Sequence, residues 1–306
     1  MTRRLSLALV GAVAAGATAV AAGSQQTFRA RVDAVAVPVS VRHDDVLVTG
    51  LTIDDFQLFD NGVPQSVTTL SSGNTPLDVT VVLDTSGSVR GDMLERLTAE
   101  ARATDVLMLE DRLRLLTFGT TVHEAVPLRP IRGMPLAPGL GAGGGTTFFH
   151  AVLAALLSET SPGRPHLVVA LSDGLDNMSL LGTKTVRDIA RYSNVALHVV
   201  LPGLRTLNRP RSNRYSRVVS GWVPYQDPGD LRQLRDAAEI TGGSLRTPPA
   251  DQEPGDSLKQ VLTETRSGYV LWYTPTGVGH EGWHDLTVEV NRRDHEVRAR
   301  LGYFTR

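Results

Sequence analysis

From residue 78 onward, short continuous apolar runs alternate with stretches of helical periodicity, and few folds accept that alternation. The runs are Val79 to Leu83, Leu113 to Leu116, Leu167 to Leu171 and Val195 to Leu201. A strand that is apolar at nearly every position is covered on both faces, as in a parallel sheet between two helix layers. Between the runs, apolar residues recur at helical spacing: Leu94, Leu97, Ala101 and Met108, then Val152, Ala155 and Leu156, then Val186, Ile189 and Ala190. Leu231, Leu234 and Ala238 follow, with Gly242-Gly243 as a C-cap, and Leu258, Val261 and Leu262 mark one more helix. The expectation is a doubly wound, mainly parallel α/β domain of the Rossmann-like type over residues 76–267.

The flanks have a different texture. Val35, Val37, Val39 and Val41 alternate with smaller or polar residues, Phe56 and Leu58 repeat the pattern, and Asp60-Asn61-Gly62 supplies positive-φ residues for a tight hairpin. Residues 23–75 therefore read as an N-terminal β segment, ended by a linker at Ser71-Ser72-Gly73-Asn74-Thr75-Pro76. Residues 268–306 read as a C-terminal β segment: Tyr269 to Tyr273, then Leu286, Val288 and Val290, then Val297, Ala299 and Leu301, with Asn291 to Asp294 as a hairpin turn. Neither set alone is large enough to bury a core, so the two are expected to pair, as one small β-sandwich.

Residues 1–22 are set apart. Arg3 and Arg4 precede an apolar stretch from Leu5 to Val20, and Ala19-Val20-Ala21 offers small residues at the positions a signal peptidase reads. The segment reads as a signal peptide, with a retained anchor as the alternative, and the chain as exported, periplasmic or extracellular. No later stretch could span a bilayer. The absence of cysteine excludes disulfides and thiolate metal sites, and 31 basic against 32 acidic residues give no general affinity for nucleic acid.

The chemistry gathers at strand ends. The run Val79 to Leu83 passes directly into Asp84-Thr85-Ser86-Gly87-Ser88. In an open parallel sheet, ligands sit just beyond the carboxyl ends of the strands. Gly143-Gly144-Gly145-Thr146 brings another hydroxyl on a loop whose backbone can approach closely, and Leu167 to Leu171 ends in Ser172-Asp173-Gly174. Two carboxylates and three hydroxyls form a hard-oxygen set that suits Mg²⁺, Mn²⁺ or Ca²⁺ rather than zinc. Asp176 and Asn177 could add an outer group or simply make a turn, and His150, Phe148 and Phe149 belong to the helix that follows Thr146. His123, His166, His198, His280, His284 and His295 lack the spacing of a zinc motif. There is no Gly-x-Ser-x-Gly elbow, and the glycines before Thr146 are followed by Thr-Thr rather than a Walker-type Lys.

Asp84-x-Ser86-x-Ser88, Thr146 after a glycine run, and Asp173-Gly174 resemble the metal-ion-dependent adhesion site of von Willebrand factor type A domains, over roughly 78–265. The resemblance implies that Ser86 and Ser88 ligate a divalent cation, with Mg²⁺ the first choice, that Thr146 binds directly or through water, and that Asp84 and Asp173 hold the metal or its waters. It also implies an open coordination position for an acidic side chain of a partner protein. Gly50 to Phe56, Asp60-Asn61-Gly62-x-Pro64-Gln65 and Val297 to Phe304 are similar to stretches flanking such a domain in a bacterial group.

The function expected is an exported metal-dependent protein-binding or adhesion module, not an enzyme. One rival is a structural or assembly protein acting through its β segments and the arginine loop of Arg205, Arg209, Arg211, Arg214, Arg217 and Trp222. The other is a metal-dependent hydrolase, disfavoured because no general base is placed beside the site.

Overall fold

The computed structural model describes residues 34–305 other than 45, 74, 90, 103–106, 131–141, 162–163, 203–227, 250–251 and 253–254. The segment read as a signal peptide and the arginine loop with Trp222 lie outside the described residues.

Alternating valines make the first long strand, β1 (Val35–His43), with Val37, Val39 and Val41 buried. Strand β2 (Val46–Leu47) folds back on it. A short 3-10 turn at Ile53–Asp55 leads into β3 (Phe56–Asp60). Asn61 and Gly62, with φ of 48° and 77°, then turn the chain into antiparallel β4 (Val63–Gln65). Asp60 is not one of the positive-φ residues; it is the last, buried position of β3. Strand β5 (Val67–Ser72) takes in Ser71 and Ser72, so the expected linker starts two residues later than its composition suggests.

The α/β layer follows as β6 (Asp78–Asp84), α1 (Asp92–Arg102), β7 (Arg112–Phe118), β8 (Val122–Pro130), α2 (Phe148–Leu156), β9 (His166–Leu171), α3 (Thr183–Ala190), β10 (Val195–Val200), α4 (Pro228–Ile240), β11 (Ser244–Arg246) and α5 (Asp256–Ser267). The sheet order is β11-β10-β9-β6-β7-β8, parallel except for β8, which pairs antiparallel with β7. Strand β6 is buried at every position: Val79, Val81 and Leu83 pack with Leu97 and Ala101 of α1 and Leu258, Val261 and Leu262 of α5. Val82 points to the other face, where α2, α3 and α4 supply Val152, Val186 and Leu234. The architecture is the doubly wound one expected from the alternation of runs. Met108, read as helical, instead lies in a turn before β7, where its N–H donates to Asp111 Oδ2 at 2.7 Å. Helix α4 ends in a Schellman arrangement, with Gly243 N bonded to Ala238 O and Gly242 at φ 82°.

The chain closes with β12 (Tyr269–Tyr273), β13 (Gly282–Val290), β14 (Glu296–Ala299) and β15 (Gly302–Thr305). These strands do pair with the N-terminal ones. One sheet runs β14-β1-β12-β5 with β2 beside β1, and a second runs β15-β13-β3-β4. Val39, Leu271 and Tyr273 from the first sheet share one apolar cluster with Phe56, Leu58 and Leu286 from the second, which makes the pair a sandwich. Asn291 to Asp294 is not a hairpin turn: β13 pairs with β3 and β15, while β14 pairs with β1, so the segment carries the chain from one sheet to the other. Leu301 falls between β14 and β15 and is half exposed. No helix among the described residues is long and apolar enough to cross a membrane.

Candidate functional site

Strand β6 is flanked by β7 on one side and β9 on the other, and the two helices that leave β6 and β8, α1 and α2, cover opposite faces. The carboxyl ends of β6 and β9 are therefore the switch point of the sheet, the place where open α/β sheets bind ligands. Asp84 is the last residue of β6, and Ser172-Asp173 directly follows β9.

The Asp84 side chain is fully buried and is fixed at both oxygens. Ser86 N donates to Oδ1 at 2.9 Å, turning the chain sharply after the strand, and Ser172 Oγ donates to Oδ2 at 2.6 Å. Ser86 Oγ lies 2.9 Å from Ser88 Oγ, and the Ser88 hydroxyl reaches Asp173. Asp173 in turn accepts from Leu175 N at 2.9 Å. Four of the expected residues are thus linked in one hydrogen-bonded group.

Thr146 enters from the third loop, which is laced to the first. Gly87 N donates to Gly144 O, and Gly143 N donates to Thr85 O, each at 3.0 Å. Thr146 is almost wholly buried, and its N–H donates to Asn177 Oδ1 at 2.8 Å. All five residues sit at this edge of the sheet, Asp84 as the last residue of β6 and the other four on the loops that meet there.

Burial pushes the Asp84 carboxyl up to about 6, the Ser172 and Ser86 hydrogen bonds pull it back, and the charge of Asp173 raises it further. Burial likewise raises Asp173, against the Leu175 and Ser88 hydrogen bonds. Two carboxylates share a site whose other groups are hydroxyls and backbone amides, so a divalent cation would relieve both the desolvation and the mutual repulsion. The donor set fits a hard cation. Among the described residues no group of three or more His, Asp or Glu converges in a way that could hold a metal, so the set depends on its hydroxyls.

Residues that the sequence left ambiguous have definite places. Asp176 Oδ2 accepts from Phe149 N at 2.8 Å, capping the start of α2 from outside. Asn177 positions Thr146. His150 is an acceptor for the loop after β9, with Leu180 N donating to its Nε2 at 3.0 Å. Phe148 is buried against Phe118 and belongs to the core. His198 and His284 are buried on β10 and β13, and His166 is buried at the opposite, amino end of β9 from Ser172-Asp173. The spacing of Asn177 from Asp173 carries no signal that would have assigned it to Thr146, because the link depends on the path of the loop.

The family model that matches this chain is described as VWA-like domain (DUF2201), over residues 79–183, a span that holds all five residues. The match falls on the α/β layer, which is similar to a VWA-like domain over that span. No curated protein matches the chain. Among solved structures, BatB from Bacteroides thetaiotaomicron is similar at 18% identity and a TM-score of 0.43, covering 61% of this chain and 96% of its own. The ArnB paralog VWA2 from Sulfolobus acidocaldarius is similar at 12% identity and a TM-score of 0.47, covering 88% and 76%. The manganese-loaded TRAP protein of Plasmodium vivax is similar at 14% identity and a TM-score of 0.39, covering 80% and 97%.

Proposed function

We propose that this protein is an exported binding module, not an enzyme, that holds a divalent cation at the switch point of its sheet and grips an acidic side chain of a partner protein through it. The observation that carries this reading is the pairing of buried Asp84 with half-buried Asp173, joined to Ser86 and Ser88 at the ends of β6 and β9. In this reading Ser86, Ser88 and Thr146 hold the ion, with Mg²⁺ favoured over Mn²⁺ or Ca²⁺, while Asp84 and Asp173 orient it or its waters. Hydroxyls neutralise little of the cation's charge, so the ion would supply strong electrophilic attraction for an incoming carboxylate. Ser172 keeps Asp84 in place, and Asn177 keeps Thr146 in place. Export is supported by Arg3-Arg4, the apolar stretch after them, and the small residues Ala19-Val20-Ala21 that end it.

Mn²⁺ reports on both halves of the proposal. Water-proton relaxation should rise above that of the same Mn²⁺ in buffer when the ion is titrated into the protein, and fall back when acetate takes a coordination position from water. The Ser86→Ala/Ser88→Ala variant should show neither change. An absence of enhancement in the wild type, or full enhancement in the variant, would refute the assignment.

A further inference from the structure

The loop that leaves Asp173 holds aliphatic side chains out in water. Met178 is 47% exposed, Leu180 92% and Leu181 47%. Scattered apolar residues on a surface need no explanation, but these three lie within four positions on a backbone that is fixed by hydrogen bonds. Asp176 Oδ1 accepts from Ser179 N at 2.9 Å and from Met178 N at 3.3 Å. His150 Nε2 accepts from Leu180 N at 3.0 Å, and His150 N donates to Ser179 Oγ at 3.1 Å. The loop is ordered by its polar groups, while much of its apolar surface stays in water.

This apolar tip is continuous with the candidate cation site. Met178 N donates to Thr146 O at 3.0 Å, so its backbone is bonded to one of the five site residues. The Met178 side chain lies over Gly145, where an added Cβ would overlap its Sδ and Cγ atoms. Only glycine lets the methionine rest there, next to Thr146. At the other end, the loop begins at Asp173 itself.

We infer that this tip is the specificity-determining half of the site, and that its occupant is a protein segment carrying Asp or Glu with an aliphatic or aromatic side chain a few residues away. The inference rests on the cation-dependent reading above. The acid reaches the ion, and the apolar side chain covers Met178, Leu180 and Leu181. Covering them excludes water from the rim, which strengthens the contact between carboxylate and cation. A segment with the acid alone leaves the apolar tip wet.

The test pans a displayed library of random peptides, about a dozen residues long, on the protein with Mn²⁺ present and elutes with a chelator. Eluted peptides should be enriched in Asp or Glu with Leu, Ile, Phe or Met at a preferred spacing. On a Leu180→Ser/Leu181→Ser variant the acidic enrichment should persist and the apolar preference vanish. The best wild-type peptide should then bind about tenfold more weakly, the order expected for one lost aliphatic contact. Both substituted side chains are exposed, so an unchanged melting temperature checks that the variant is folded. Acidic peptides without an apolar preference, or an apolar preference that survives in the variant, would overturn the inference and leave the cation reading standing. Concentration-dependent dimers of the wild type that the variant abolishes would also overturn it, by assigning the tip to a second copy. If no chelator-eluted acidic peptide appears on either protein, the cation reading fails and the inference with it.

Discussion

Two histidines inside the central sheet are held neutral. Burial, with Arg246 and Arg298 nearby, pulls the pKa of His198 down to about 3, while its Nδ1 lies 3.0 Å from Ser244 Oγ. Burial pulls His166 down to about 4, and its Nε2 lies 2.8 Å from Thr80 Oγ1. In the unfolded chain a histidine titrates near 6.5, so below that pH the unfolded state takes up protons that the folded state refuses. The contribution of each is intact above pH 6.5 and drains away as pH falls toward the folded pKa, at about 1.4 kcal/mol per pH unit. Asp84 works in the other direction. Its pKa is raised to about 6, so the folded state gains from protonation as pH falls from there toward the ordinary 3.8. The two effects are separated by comparing variants. His198→Gln, measured by urea unfolding at a series of pH values, should fall less steeply than wild type by about 1.4 kcal/mol per pH unit between 6.5 and 4. Equal slopes would mean that His198 is not the buried neutral group described here.

At the scale of elements, the strands that were easiest to read are those buried on both faces. Val79 to Leu83 and Leu167 to Leu171 are continuous because β6 and β9 sit at the centre of the sheet, and the same centrality puts Asp84 and Asp173 at the switch point. Strand β8 escaped notice because it is the edge strand: His123, Glu124 and Arg129 face solvent, and Pro127 and Pro130 interrupt any apolar pattern. Strand β11 is three residues long and was hidden in the run-out after Gly243. The crossing of β14 into the other sheet was equally invisible, since pairing between strands far apart in sequence leaves no local mark. The places of the five candidate residues were legible because each ends or follows a strand or a glycine run, whereas the supporting places of Asp176, Asn177 and His150 depend on how one loop lies across α2. The junction of α4 and β11 shows how little room such elements leave. A Cβ at Gly243 would overlap the Leu197 carbonyl of β10. Gly243→Ala should therefore destabilise the protein by about 3 kcal/mol in urea unfolding, and a loss of less than about 0.5 kcal/mol, typical of a surface change, would contradict that packing.

In the molecule as a whole, the sandwich is joined to the α/β layer by polar ties together with the packing of Trp283 and of Phe304 against Tyr192. Leu301 N donates to Ile240 O at 3.0 Å, Arg300 reaches Ser193 O at 3.2 Å, and Glu264 of α5 pairs with both Arg42 of β1 and Arg246 of β11. Within the sandwich, Asp60 is buried but satisfied: Tyr273 Oη and Tyr303 Oη donate to Oδ2 at 2.7 and 2.8 Å, and His284 Nδ1 lies 2.8 Å from Oδ1. At the candidate cation site, Asp84 and Asp173 rest instead on hydroxyls and amides beside one another. Filling that site should stabilise the whole fold, and this is the most direct check on the account. Thermal unfolding is followed in chelator and then with Mg²⁺, Mn²⁺ or Ca²⁺, for the wild type and an Asp173→Ala variant. An ion at about a hundred times its dissociation constant adds about 2.7 kcal/mol, which raises the melting temperature by on the order of 5 °C in a chain of this size. The account predicts that rise in the wild type and its absence in the variant. No rise with any of the three ions, or an equal rise in Asp173→Ala, would contradict it.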